Sequence, residues 1–197
     1  MTLAAGSHPV PPGHLAAVVT HFEITAPQIP ADPFPDGVTA DREAISVEAY
    51  RSLFRAIGEP WLWVSRLRMN DADLSAILVD PKVETYIVRR ADRAVGLVEL
   101  DFRTDGACEL AFFGLIQSET GGGLGKSMMG LAQHRAFSYP IERLHLHTCT
   151  LDSPQAVGFY MSCGFQPIRQ DVEILEDPRC QGIFPPDASP RNPMMRP

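Results

Sequence analysis

Positive charge, paired cysteines and long apolar runs are all scarce in this chain of 197 residues. Its 17 Lys and Arg stand against 24 Asp and Glu, a formal charge of −7. A surface selected for nucleic acid or anionic membrane would instead cluster basic side chains, so neither partner is expected. The best apolar run, Leu110 to Ile116, falls far short of the roughly 20 residues that span a bilayer. No Lys or Arg precedes Arg42, so the basic n-region of a secretory leader is missing and a signal peptide is not expected. Cys108, Cys149, Cys163 and Cys180 are widely spaced without a CxxC pair, which fits thiols kept reduced in a cytoplasmic protein. What is present is ordinary: 45% apolar residues and enough chain for one core plus ends.

Proline marks those ends. Residues 1–36 hold seven of the 18 prolines and residues 178–197 hold six. Proline fixes φ and removes a main-chain donor, so such stretches seldom enter regular structure. The expected division is a flexible N-terminus (1–14), one domain (15–176) and a Pro-rich tail (177–197) that is extended or loosely packed. Leu15 to Ile24 reads as one strand. Val47 to Trp63 has helical spacing through Tyr50, Leu53, Phe54 and Ile57, with Gly58 and Pro60 as stop signals. Asn70 is placed to cap a short helix, Asp71 to Leu78. Val83 to Arg90, Ala94 to Arg103 and Cys108 to Ile116 are rich in β-formers and joined by turn residues Ala91-Asp92-Arg93 and Asp105-Gly106. Three strands on short links imply an antiparallel meander.

After Ile116 the pattern changes. A glycine run opens a segment with Leu124, Met128, Leu131 and Ala132 at helical spacing. Arg143 to Thr150 reads as a strand and Ser153 to Cys163 as a helix ended by Gly164, with Ser153 a good N-cap ahead of Pro154. Phe165 to Leu175 supplies one or two closing strands. The fold class is therefore α/β (α+β): a mixed sheet of six to seven strands, antiparallel first and partly parallel later, flanked by helices.

The run Thr120-Gly-Gly-Gly-Leu-Gly-Lys-Ser127 lies between a strand and a helix. Consecutive glycines can aim several N–H groups at one point, and a helix N-terminus adds partial positive charge, which together suit phosphate oxygens. A flexible turn is the plain alternative. The dinucleotide fingerprint fails at Lys126 or Met128, depending on which glycine opens it. A P-loop nucleotidase motif nearly matches at Gly125-Lys126-Ser127, but Thr120 stands where its first glycine belongs. Only 71 residues follow Lys126, too few for the parallel sheet of that fold.

Thr120 to Gly125 resembles motif A of the GNAT superfamily of acyl-CoA N-acyltransferases, [RQ]-x-x-G-x-[GA]. The stretch Glu109 to Ile116 resembles the family's fourth strand, and Ser153 to Phe165 resembles its N-x-x-A-x-x-x-Y-x-x-x-G-F signature through Ala156, Tyr160, Gly164 and Phe165. The likeness covers about residues 42–175. Two residues depart from it: Thr120 replaces an Arg or Gln, and Ser153 replaces an Asn. The resemblance implies acetyl-CoA as the cofactor and a sheet whose parallel central strands splay to admit it. Phe113, Leu115 and Ile116 would hold the pantetheine arm. Thr120, Gly121, Gly122, Gly123, Leu124, Gly125 and Lys126 would hold the diphosphate, with Ser153, Ala156 and Phe159 also on the cofactor side.

The same resemblance implies direct transfer of an acetyl group to a primary amine, of a small molecule rather than a protein. Tyr160 is the expected general acid for the departing thiolate, since a phenol and an alkyl thiol have similar pKa values. Glu109 is the first candidate base and Glu99 the second. Trp61 and Trp63 would lie over the acceptor side, although packing under the first helix is the blander account. His145 and His147 alternate on one strand and face one side. They line the acceptor cleft in the implied fold, and no third ligand at suitable spacing supports a metal site. Residues 1–50 hold six acidic residues against Arg42, which favours a cationic acceptor if they border the cleft. A coenzyme A-binding module with little transfer is the alternative that Thr120 and Ser153 keep open. Dimerisation is common in the family, and no seam is legible.

Overall fold

Two capping side chains set the first long helices. The Ser46 hydroxyl accepts from the Ala49 N–H at the start of α1 (Val47–Gly58), and the Asn70 side chain accepts from the Asp73 N–H at the start of α3 (Asp71–Leu78). Each satisfies a donor that a helix leaves open at its first turn. The computed structural model describes residues 3–197. As the spacing predicts, α1 buries Tyr50, Leu53, Phe54 and Ile57. It stops at Gly58 rather than running to Trp63, because Pro60 enters a separate 3-10 turn, Glu59–Trp61. A four-residue helix α2 (Ser65–Arg68) comes next.

The strands are β1 (His14–Ile24), β2 (Val38–Arg42), β3 (Val83–Arg90), β4 (Arg93–Asp101), β5 (Ala107–Leu115), β6 (Arg143–Cys149) and β7 (Gln166–Glu176). Helix α4 (Leu124–Ala136) links β5 to β6, and α5 (Ala156–Ser162) links β6 to β7. They form one seven-stranded sheet in the order β2-β3-β4-β5-β6-β1-β7. Among the described residues only β5 and β6 are parallel; every other pair is antiparallel. The fold class read from the sequence stands, and one parallel pair is incompatible with the P-loop nucleotidase alternative. β2 escaped the sequence reading because this five-residue edge strand buries only Val38 fully and has no apolar alternation. The closing segment is one strand, β7. Its neighbour is the N-terminal β1, which lies between β6 and β7 and is antiparallel to both.

Adjacent residues on β5 identify the two faces. Phe112 meets α1 through Phe54, with ring centroids 4.8 Å apart, while Phe113 stacks on Phe159 of α5 at 5.7 Å. Successive side chains of a strand point to opposite sides, so α1 and α5 cover opposite faces. The main core runs through both layers, from Tyr50, Phe54 and Leu74 to Met128, Met129, Leu144 and Phe165.

The Pro-rich tail differs from expectation. It has no helix or strand, but it is packed: Phe184 and Ala188 join Leu15, Ala17, Leu62 and Leu151 in a second apolar cluster. Its anchor is a buried ion pair in which Arg179 donates to Asp177 at 2.6 Å and also to the carbonyls of Ala188 and Asn192. Proline excludes regular structure without excluding burial, because side-chain and carbonyl bonds can replace a ladder.

On the α4 side, Glu84 ties three elements together. Its side chain is 0% exposed and accepts from Arg42, Arg135, Tyr86 and Tyr139 at 2.6–2.9 Å. Burial alone would raise this carboxyl, but the bonds from Arg135, Tyr139 and Tyr86 outweigh it and bring the pKa down from 4.5 to about 2. A depressed folded-state pKa adds stability above the unfolded value and loses it as pH falls toward the folded one. Glu84→Gln should therefore lower stability near pH 7 by about 3 kcal/mol. Denaturant titrations should show the gap to the parent protein narrowing between pH 4.5 and pH 2; a gap independent of pH would mean that the charge plays no part.

Candidate active site

The parallel pairing of β5 and β6 is brief. Ala107, Cys108 and Glu109 are matched with Arg143, Leu144 and His145, and there the ladder stops. Beyond Glu109 the strands diverge, leaving the β6-facing edge of β5 without a strand partner. A register shift beside Glu99 and Leu100 places an extra residue, Ala111, in β5 at this point. Such a bulge bends the strand and re-aims the side chains beyond it.

At the far end of β5, Ile116 donates its N–H to the Val95 carbonyl, so that group is not free for a ligand. Leu115 packs across β4, where its Cδ2 lies 2.7 Å from the position a Cβ would take on Gly96. The glycine turn comes next. Gly121 and Gly123 have φ of +83°, a conformation that favours glycine, and no atom lies within 4 Å of an added Cβ at Gly121, Gly122 or Gly123. Gly123 caps α4 without a side-chain bond, and Lys126 donates to the Gly123 carbonyl. The N–H groups from Gly121 to Gly125 have no acceptor among the described residues. The Thr120 hydroxyl turns back to donate to the Gln117 carbonyl at 2.8 Å.

Gly125 lies against the Phe159 ring, which stacks in turn on Phe113. Tyr160 is adjacent. Its ring is bounded by Phe22, Phe113, Phe159 and Phe165 at centroid distances of 5.6–6.4 Å. Burial, then the nearby Asp152 and Cys163, push the phenol well above its ordinary pKa, and its hydroxyl has no partner among the described residues. Ala156 is half-buried and opens α5. Ser153 does not cap that helix: its hydroxyl donates to the Gln155 side chain at 2.6 Å, and α5 begins three residues later. Pro154 and Gln155 form a tight turn instead, closed by the Ala156 N–H on the Ser153 carbonyl.

The opposite face carries the other candidates. Glu109 is partly exposed where the strands part, with an Oε1 3.6 Å from His147 Nδ1. His145, matched with Glu109 in register, is half-buried, and burial lowers its pKa below 6.5. His21 of β1 extends this row, its ring 5.8 Å from that of His147. No group of three metal-binding side chains occurs among the described residues. Glu99 is a different case. It is 0% exposed, and its two oxygens accept from Tyr50 at 2.6 Å and Arg66 at 2.5 Å. Buried beneath α1 and tied to both partners, this carboxylate is closed to an acceptor, which counts against the second candidate base. Its position on β4 was readable, but its partners, 49 and 33 residues away, were not.

Trp63 spans the parting strands. Its ring packs on Phe54 and Phe112, and its Nε1–H donates to Asp152 Oδ1 at 2.7 Å. The other Asp152 oxygen accepts from Thr148 and the Cys149 N–H. Asp152 is the residue the sequence reading missed. It directly precedes the Ser153–Phe165 signature, yet nothing in its neighbourhood points to a tryptophan 89 positions away. Trp61 lies outside this contact and carries the Arg191 guanidinium 5.2 Å from its ring centroid.

Parallel strands that part beside an open glycine turn and a helix N-terminus form a cleft suited to a phosphate-bearing ligand. Residues 47–165 match the model of the acetyltransferase (GNAT) family, and the chain belongs to that family. Family membership carries acyl-CoA-dependent acetyl transfer as its general activity, with acetyl-CoA as the usual donor. The fold is similar to that of a functionally unknown conserved protein from Staphylococcus epidermidis (TM-score 0.62, 17% identity, covering 84% of this chain and 63% of that one). It is also similar to GCN5-related N-acetyltransferases from Kribbella flavida (0.54, 20%, 84% and 60%) and Sphaerobacter thermophilus (0.57, 17%, 83% and 53%). The chain thus spans 53–63% of the length of these three structures. No curated protein matches it by sequence. No helix among the described residues is long and apolar enough to cross a membrane.

Gly114 makes the Trp63 crossing possible. An added Cβ there would lie 2.5 Å from Ile57 Cγ2 and 3.1 Å from Trp63 Cη2. Gly114→Ala should lower stability by about 1–3 kcal/mol, and pairing it with Ile57→Ala, which removes the Cγ2 methyl it would strike, should cost less than the sum of the two changes. Urea midpoints of the three variants test this; full additivity would place the clash elsewhere.

Proposed function

We propose that this chain is an acetyl-CoA-dependent N-acetyltransferase acting directly on the primary amine of a small molecule. The observation that carries the reading is one continuous path. It starts at the open N–H groups of Gly121 to Gly125, passes Phe159 and Phe113, and ends at the unpartnered hydroxyl of Tyr160. The residues fit the cofactor, since the space above Gly121, Gly122 and Gly123 is what a side chain would fill. The turn and Lys126 bind the diphosphate, aided by the dipole of α4. Leu124, Ala156 and Ser153 border it. The unpaired edge of β5 near Phe113 and Leu115 orients the pantetheine arm and donates toward the thioester oxygen. Bound acetyl-CoA supplies the reactive acetyl thioester.

Tyr160 holds a proton on its hydroxyl throughout the neutral range and delivers it to the departing sulfur. Near balance with a thiol, expected from free-residue values, does not apply to a phenol raised by burial. The half-buried group is a weaker acid than a free phenol, so it would give up its proton only as negative charge builds on sulfur. Glu109 takes the amine proton from the acceptor side, directly or through one water. His145 stays neutral at pH 7 because burial lowers its pKa, so it does not repel a cationic amine. Glu23, matched with His145 in register, adds negative charge to the same face. Trp63 and His147 bound the acceptor, and Trp61 lies further out.

A coenzyme A-binding module with little transfer is the second reading. It draws on the side chains of Thr120 and Ser153, which are both spent on local bonds. One experiment separates the two: thiol release from acetyl-CoA with a panel of amines, beside the thermal shift given by coenzyme A. Turnover supports the enzyme; stabilisation without thiol supports the module. A ligand at 100 times its Kd stabilises by roughly 2.7 kcal/mol, which is readily measured.

Tyr160→Phe should lower kcat about tenfold or more while leaving the KM for acetyl-CoA nearly unchanged and the alkaline limb of the pH profile in place. Unaltered kcat would remove the proposed acid. Glu109→Gln should lower kcat/KM by a similar factor while leaving the thermal shift given by coenzyme A nearly unchanged. An unaltered kcat/KM in this variant assigns the base elsewhere.

A further inference from the structure

On the face that carries Glu109, a cavity of about 290 Å³ lies across β6, β1 and β7, lined by His21, Glu23, Arg143, His145, Ile168 and Arg169. It begins beside the proposed base, because His145 is matched in register with Glu109 on one side and with Glu23 on the other. In a chain of net charge −7, this lining sets two Arg and two His against one Glu, with Asp171 at its edge. Neither guanidinium is fully engaged. Arg143 reaches only Glu23, at 3.8 Å, outside hydrogen-bond distance. Arg169 approaches Asp171 and His21 through one nitrogen, Nη2, at 3.0 and 3.1 Å. Its Nε and Nη1 have no acceptor among the described residues. A guanidinium with free N–H groups is a fork that matches a carboxylate in two parallel hydrogen bonds.

We infer that the acceptor is an amino acid whose amine and carboxylate stand at opposite ends of a short chain, the carboxylate held by Arg169 and Arg143. The inference rests on the proposed transfer reaction and names its substrate class. Glu109 and Glu23 attract the amine at one end, and the two guanidinium groups attract the acid at the other. Adjacent strands lie about 4.8 Å apart, so the three steps from β5 through β6 and β1 to β7 span roughly 14 Å at the main chain. The side chains close part of that gap and the acceptor bridges the rest. An α-amino acid does not bridge it: its carboxylate sits beside the amine, hence beside Glu109, where like charge repels it. A simple amine leaves both guanidinium groups unused. The middle of the acceptor passes over the His145 and His21 rings and Ile168, which is 53% exposed. Covering that side chain suits methylene groups.

Thiol release from acetyl-CoA with 6-aminohexanoate, hexylamine and norleucine tests both charge and spacing, since all three carry the same number of carbons. The kcat/KM should be about tenfold or more higher for 6-aminohexanoate than for either rival. Arg169→Gln and Arg143→Gln should each raise the KM for 6-aminohexanoate severalfold, and the double variant should bring its preference over hexylamine close to one. The thermal shift given by coenzyme A should persist in these variants, which a general loss of fold would abolish. Hexylamine used as well as 6-aminohexanoate, or a preference that survives the double substitution, overturns the inference. Norleucine used as well as 6-aminohexanoate overturns the separation of the two charges, and the inference with it. If none of the three releases thiol, the transfer reading fails separately, and binding decides the carboxylate seat. The imidazole resonances of His21 and His145 should then shift with 6-aminohexanoate but not with hexylamine, and with neither in the double variant. Resonances of the parent protein that stay in place overturn the seat as well.

Discussion

The abrupt end of the β5–β6 ladder at Glu109 and His145 is the constraint around which the rest is arranged. A parallel pair in the middle of a sheet normally continues, because each added residue satisfies main-chain donors and acceptors. Here the pairing stops after three residue pairs, and the bulge at Ala111 turns β5 away. The result is a wedge open at its edge, with Phe113, Phe159 and Tyr160 on one side and Glu109, His145 and His147 on the other. The glycine turn and the start of α4 stand at its mouth.

Opening a sheet removes cohesion between its halves, and three features restore it outside the wedge. Helix α4 packs beneath both halves through Met128, Met129 and Ala132. Trp63 crosses above them to Asp152, admitted by Gly58 and Gly114, where a Cβ would collide with Trp63 or Ile57. The tail then ties the outer parts together. Arg55 and Arg68 donate to Ile183 and Gln181, and Arg191 reaches the carbonyls of Leu151 and Asp152. Leu62, between Trp61 and Trp63, has φ of 59° although it is not glycine. Its burial beside Phe184 and Leu15 holds that conformation. The second apolar cluster thus fixes the turn that aims Trp63.

Local grammar made much of this readable in advance. Capped helices, alternating strands and the Asp105-Gly106 turn each depend on residues within a few positions, and α3 and β3 fall where their patterns place them. The two motifs of the second half needed only their spacing. Long-range partners were not readable. Whether Glu99 is a free carboxylate or a buried one depends on Tyr50 and Arg66, and whether Asp152 matters depends on Trp63. The seat of β1 beside β6 likewise depends on which apolar face remains uncovered once the other strands have paired. The tail misled because proline content reports on main-chain regularity, whereas burial of Phe184 is decided by the cluster it enters.

The central claim is that the main-chain donors of the glycine turn converge on a diphosphate at the mouth of the wedge. A crystal structure with coenzyme A tests it most directly. The account predicts diphosphate oxygens within about 2.7–3.2 Å of the N–H groups between Gly121 and Gly125, with the pantetheine arm running toward Tyr160. Coenzyme A bound elsewhere, or in the wedge with those N–H groups turned away from phosphate, would contradict it.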